Sequence, residues 1–174
     1  MHVIRNTNMK TLLIITFLSL LFISACSQAD KQTADNIGLI EKYVKAVEEK
    51  DYATMESLLA DNYKGYGPSH SDSTNRTEAL TSWKENIENL YQSISYNRSR
   101  MAALTIPEGP NKGEWVSNWA ELEIKYKDGR GPVIIWANTN YEIEHGKIVK
   151  SYTFYNEADV LRQLGYSFID SNEL

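Results

Sequence analysis

Cysteine is all but missing from this chain: Cys26 is the only one among 174 residues. A single thiol cannot build an internal disulfide framework or a multi-cysteine metal site. Basic charge is also short. The 18 Lys and Arg stand against 23 Asp and Glu, a formal net charge of −5, so the chain lacks an overall basic footprint for nucleic acid. There is no Gly-rich phosphate loop. There is no internal repeat and no low-complexity segment. What remains is ordinary globular composition, 42% hydrophobic and 24% charged, which disfavours a disordered chain, a collagen-like repeat and a coiled coil. The length suggests one domain.

Charge is missing from one more place. Between Lys10 and Asp30 no residue is charged, and Thr11 to Ile23 is almost wholly apolar. The run is too short for a bilayer-spanning helix, which needs roughly 20 apolar residues. With Arg5 and Lys10 before it and small residues at its end, it suits the apolar region of a signal peptide. Ile23-Ser24-Ala25-Cys26 follows directly and resembles the lipobox of bacterial lipoproteins. That resemblance implies a signal peptide over 1–25, cleavage before Cys26, lipid on its thiol, and membrane anchoring in the cell envelope. Ser27 after the cysteine implies the outer membrane if the source is Gram-negative. Residues 26–36 read as a polar, lipidated tether, leaving 37–174 as the domain. Removing 1–25 takes away Arg5 and Lys10 and no acid, so the net charge moves from −5 to −7. An acidic body should be held by its lipid and not by basic contact with anionic head groups.

Past the tether, Ile37, Ile40, Tyr43, Val44 and Val47 recur at helical spacing. Asp51 precedes a second short pattern, Tyr52, Met55, Leu58 and Leu59. Asn75 with Glu78 three residues on forms a capping-box signal for a third helix, with the stripe Leu80, Trp83, Ile87 and Leu90. Residues 62–75 between them read as a loop with at most one short strand. Strands follow over 93–106, 114–127, 133–144 and 147–155, with Asp128-Gly129 and His145-Gly146 as turns. A last short helix covers 156–164 and ends at Gly165. Helices first and an antiparallel meander after them define an α+β domain, a cone of helices packed on a curved, mainly antiparallel sheet. The mouth of such a cone is the default place for a ligand.

The order of elements resembles the SnoaL-like branch of the nuclear-transport-factor-two-like superfamily. Asp61-Asn62-Tyr63-Lys64-Gly65-Tyr66-Gly67-Pro68 is similar to that branch's Tyr-x-x-His-x-Pro stretch, and Gly146 to Val149 with Leu161 to Gly165 to its closing strand and helix. The superfamily holds isomerases, dehydratases, epoxide hydrolases and cyclases beside non-catalytic binding domains, so fold alone leaves function open. Two positions depart from the pattern. Tyr66 stands at the His, and Asn156 at the Asp that works as general base in the cyclases. A phenol with a pKa near 10 is a poor base at neutral pH, and an amide is none. Asn156 also has a complete structural role as N-cap of the last helix.

The resemblance makes Tyr63 and Tyr66 pocket candidates. Trp83, Asn118, Trp136, Asn138, Tyr152 and Asn156 complete that set. His70 with Asp72 is the weak candidate for an acid–base pair. Only His70 and His145 remain among the histidines after cleavage, so neither a metal centre nor a cofactor is expected. In strand 114–127, Asn118 shares a face with Val116, Ala120, Leu122, Ile124 and Tyr126, whereas Trp115 and Trp119 lie on the other among charges. That second face would present two tryptophans to a partner, such as another copy in a homodimer. In strand 133–144 both faces hold apolar residues, which fits a sheet covered on both sides. The expectation is a membrane-anchored lipoprotein whose domain binds a small, largely apolar ligand or a partner protein without catalysis. The alternative is an isomerase-, dehydratase- or cyclase-type enzyme using a group such as His70–Asp72.

Overall fold

Ile40 and Val47, two turns apart on the first apolar stripe, are fully buried, and Tyr43 and Val44 between them nearly so. The computed structural model that shows this describes residues 31–170 and residue 172. Cys26 and the segment before it lie outside the described residues. Helix α1 covers 31–49, so residues 31–36, polar enough to read as tether, are already helical. It stops where Lys50 takes a positive φ of 62°. Asp51 then caps α2 (Tyr52–Leu58), its carboxylate accepting from the backbone N–H of Thr54 at 3.0 Å and from the Thr54 hydroxyl at 2.6 Å.

The first departure from expectation follows at once. Leu59, read on the second helical pattern, instead opens strand β1 (Leu59–Tyr66), and residues 62–75, expected as a loop with at most one short strand, supply the rest of β1 and, after a turn, β2 (Ser73–Asn75). Helix α3 (Arg76–Glu85) starts with the expected capping box, Asn75 accepting from the Glu78 N–H and Glu78 from the Asn75 N–H. It does not run on as an α-helix to Leu90: the chain widens into a π-helical turn over Asn86–Leu90, which buries Ile87 and leaves Leu90 exposed.

Four long strands complete the domain: β3 (Tyr91–Ile106), β4 (Gly113–Tyr126), β5 (Val133–Glu144) and β6 (Lys147–Tyr155). The β5–β6 connection is the two-residue turn expected, with His145 and Gly146 both at positive φ (50° and 71°). Asp128-Gly129 sits in a six-residue connection instead, because β4 ends at Tyr126 and β5 begins only at Val133. Helix α4 (Glu157–Gln163) is capped by Asn156, which accepts from the Asp159 N–H at 3.1 Å.

The strand order is β2-β1-β6-β5-β4-β3. Every pairing is antiparallel except β1 with β6, where Gly65 lies beside Ser151 and Tyr66 beside Tyr152. This is the α+β arrangement expected: helices on the inner face of an open, mostly antiparallel six-stranded sheet, with a short C-terminal helix. Among the described residues, those from 36 to 170 form one packed unit. Its core joins Ile40, Val47 and Met55 of the helices to Val116, Val133 and Ile148 of the strands, all essentially solvent-free. A bulge at 97–100 in β3, and one in β6 where Val149 is the extra residue opposite Glu142 and Ile143, bend the sheet around this core. Among the described residues, no helix is long and apolar enough to cross a membrane.

Candidate functional site

Strand alternation decides what the cone contains. In β4 the residues Asn118, Ala120, Leu122, Ile124 and Tyr126 face inward, and register sets Ala137 and Ile135 of β5 beside Ala120 and Leu122. Between this face and the helices lies a cavity of about 340 Å³. Its mouth is framed by Gly67, Pro68 and Asp72, and its helical wall includes Ala79, Ser82 and Trp83 of α3.

The cavity's chief chemical feature is phenol. Tyr43 comes from α1, Tyr63 from β1, Tyr91 and Tyr96 from β3, Tyr126 from β4, Tyr141 from β5 and Tyr155 from β6. Tyr63, 7% exposed, shares a 2.7 Å hydrogen bond with the Ser151 hydroxyl across the parallel β1–β6 pairing. Burial, and then neighbouring phenols, push Tyr43 and Tyr141 well above the ordinary tyrosine value. Burial raises Tyr96 strongly, with Glu48 adding to it, and lifts Tyr91 to about 12. For Tyr63 burial outweighs the opposing Ser151 hydrogen bond. At neutral pH these rings are therefore uncharged, and their hydroxyls neither give nor take a proton readily.

Of the eight pocket candidates read from sequence, four reach the lining of the cavity. Tyr63 and Trp83 line it, and so does Asn118, whose amide donates to the Ser99 hydroxyl at 2.6 Å and to the Arg100 carbonyl at 3.3 Å. Tyr66 borders the cavity, but its ring stacks on Tyr152 (centroids 4.9 Å apart, 16° between planes) on the opposite face of the sheet. Tyr152, Trp136 and Asn138 belong to that outer face too. All three sit at even positions of their strands, out of phase with the cavity residues Ala137, Thr139, Ser151 and Thr153. Trp136 is 61% exposed, and Asn138 donates to the Ser117 hydroxyl and the Asn118 carbonyl. Asn156 is occupied as a helix cap.

The acid–base candidate does not assemble. His70 and Asp72 are both exposed, and they share no hydrogen bond or ion pair. Asp72 reaches the cavity mouth, where its carboxylate accepts from the Ser69 N–H at 3.2 Å, but His70 does not line the cavity. Among the described residues, no group of three or more His, Cys, Asp and Glu could hold a metal ion.

Six lining tyrosines were not singled out by sequence: 43, 91, 96, 126, 141 and 155. Their signal was available. Tyr126 and Tyr141 continue the alternation of Ile124 and Ile135, and Tyr43 lies on the α1 stripe.

The outer face carries a shallower groove of about 450 Å³ between Leu104, Ile106, Trp115, Tyr152 and Phe154. Trp115, expected to be presented to a partner, is buried. Its indole donates to the Asn111 carbonyl at 2.9 Å, its ring lies parallel to Tyr152, and the Lys150 ammonium sits over it at 5.7 Å. Trp119, Trp136 and Phe154 on this face are about half exposed or more.

The sequence model of the SnoaL-like domain matches residues 38–128. No curated protein sequence matches the chain significantly. Solved structures share the fold at low identity. A candidate polyketide cyclase from Xanthomonas campestris is 13% identical, with a TM-score of 0.61 over 76% of this chain and 98% of the other. A candidate polyketide cyclase from Streptomyces antibioticus is 16% identical, with a TM-score of 0.60 over 75% and 99%. An epoxide hydrolase of the LEH-like type from M. tuberculosis is 15% identical, with a TM-score of 0.55 over 76% and 91%.

Proposed function

Because the chain belongs to the SnoaL-like domain family, a family whose fold also carries catalysts, the cavity's chemistry has to decide its role, and we propose a binding module. The domain takes up a small, largely apolar ligand among its tyrosines and does not turn it over. One observation carries this reading. The groups inside the cavity that titrate are phenols held above their ordinary range, and the one lining carboxylate, Asp72, sits exposed at the mouth. Proton abstraction of the cyclase or isomerase kind needs a buried base near the working pH.

A neutral apolar dye, N-phenyl-1-naphthylamine, tests it by fluorescence titration. It is expected to bind one per domain, and Ala120→Leu, which fills the cavity from β4, should weaken binding by about tenfold or more, whereas His70→Ala and Asp72→Asn leave it unchanged. Turnover of an epoxide, enol or ketone substrate that vanished with His70→Ala or Asp72→Asn would replace the binding module by an enzyme.

The same reading hangs the domain on the cell envelope through a lipid at Cys26, supported by the positive start, the apolar run and Ile23-Ser24-Ala25-Cys26. Acyl chains anchor because each buried methylene is worth about 0.8 kcal/mol. In bacteria fed labelled palmitate, the full chain should carry label and sediment with membranes, and Cys26→Ala should lose both. Label or membrane association retained by Cys26→Ala would remove the anchor.

A further inference from the structure

Two ring pairs in the cavity meet nearly at right angles. Tyr43 and Tyr141 have centroids 6.0 Å apart with 67° between planes, and Tyr91 and Tyr126 are 5.4 Å apart at 83°. All four line the same space, with the indole of Trp83 on the α3 side. Rings set this way form adjoining walls and not a flat stack, so a compact group among them meets aromatic surface from several directions. The faces of such rings carry negative quadrupole.

Charge follows the same sense. None of the residues lining the cavity is Lys, Arg or His, and the one acidic side chain among them is Asp72, at the mouth. The chain as a whole is acidic, with net charge −5. A cation approaching the mouth is drawn by Asp72 and finds no like charge inside. An anion meets the opposite.

We propose that this cavity is an aromatic cage for a quaternary or tertiary alkylammonium head group, walled by Tyr43, Tyr141, Tyr91, Tyr126 and Trp83, with Asp72 steering at the mouth. The inference rests on the binding-module reading and adds a charge requirement to it. Desolvation selects the head group. A primary ammonium holds its water tightly and would lose it to a cavity without a carboxylate at depth. A fully alkylated nitrogen is weakly hydrated and spreads its charge over methyl groups that pack on ring faces. Because the phenols stay protonated at neutral pH, the attraction comes from ring faces and not from phenolate.

Choline and its uncharged isostere 3,3-dimethylbutan-1-ol separate the charge term from the shape term. By calorimetric titration of the intact domain, choline is expected to bind about tenfold or more tightly than the alcohol. Tyr91→Phe, which keeps the ring, should leave choline affinity within about twofold. Tyr91→Leu should weaken it about fivefold or more, and weaken the alcohol less. Tyr91 is only half-buried, so these variants are the ones expected to fold, and thermal melting verifies that they do. Equal or tighter binding of the alcohol overturns the cage while leaving the binding module in place. Failure of both probes where the naphthylamine dye still binds also overturns it. Failure of all three removes the binding module as well.

Discussion

Gly67→Ala should unfold the domain at markedly lower urea, with a loss on the order of 3 kcal/mol. Two physical terms combine at this position. Gly67 has φ of +97°, a region that residues with a Cβ rarely adopt. A Cβ built there would also stand 2.2 Å from the carbonyl oxygen of Thr153. That oxygen belongs to the backbone of β6, so it cannot swing away as the end of a flexible side chain would. Relief requires β1 and β6 to part where the parallel pairing closes the cavity mouth. Dye binding should therefore fall with stability. Gly109→Ala supplies the control. Its φ is a similar +89°, but nothing lies within 4 Å of a Cβ there, so it should cost only about 1 kcal/mol. If urea midpoints showed the two variants equally destabilised, the clash with Thr153 would not be the cause.

The same crossing of β1 and β6 explains which parts of the architecture could be read from sequence. Local signals were legible. Asp51, Asn75 and Asn156 are each short polar residues before an apolar pattern, and each caps its helix. The alternation in β4 is strict enough to put Asn118 inside and Trp119 outside. β1 was not legible, because Leu59-Ala-Asp-Asn-Tyr-Lys-Gly-Tyr carries two consecutive polar residues and a glycine, with no β-branched residue. It is a strand because β6, 88 positions away at the Tyr63–Ser151 bond, offers it a free edge. Tyr66 follows from that. Only the register beside Tyr152 decides that its ring turns away from the cavity. In β5 the obstacle was composition. Trp136 alternates with Ile135 and Ala137, so hydrophobicity could not tell cavity from outer face. Tyr91, Tyr96 and Tyr155 share that difficulty, since a ring with a polar tip suits either side of a sheet. The domain resemblance placed the cavity, and the closure of the sheet placed the phenols in it.

Lys150→Met should cost about 2–3 kcal/mol, although it changes neither the cavity nor the apolar core. Glu142 is 5% exposed on the outer face of β5, and its partner across the β5–β6 ladder is the ammonium of Lys150. Gly113 crowds the pair: a Cβ at that position would lie 3.0 Å from the Glu142 carboxylate. Methionine keeps the hydrocarbon stem over Trp115 and removes only the charge, so Glu142 is left buried and uncompensated. The expected loss is below the 3–5 kcal/mol typical of a sealed pair, because the Lys150 side chain is 27% exposed and water can partly replace it. Converting both partners in Glu142→Gln/Lys150→Met should recover most of the loss, since no buried charge then remains. A double variant as unstable as the single one would show that Lys150 acts through packing instead. The pair also has a pH signature. The hydrogen bond to Glu142, with its charge behind it, raises Lys150 above its ordinary value of 10.5. A raised value in the folded chain means that the pair's contribution is complete below that ordinary value and disappears as pH climbs through the folded one. The stability difference between the wild-type chain and Lys150→Met should therefore be constant from neutral pH to about 10 and shrink above it. Several buried tyrosines titrate in the same alkaline range, but they are common to both chains and cancel in that difference.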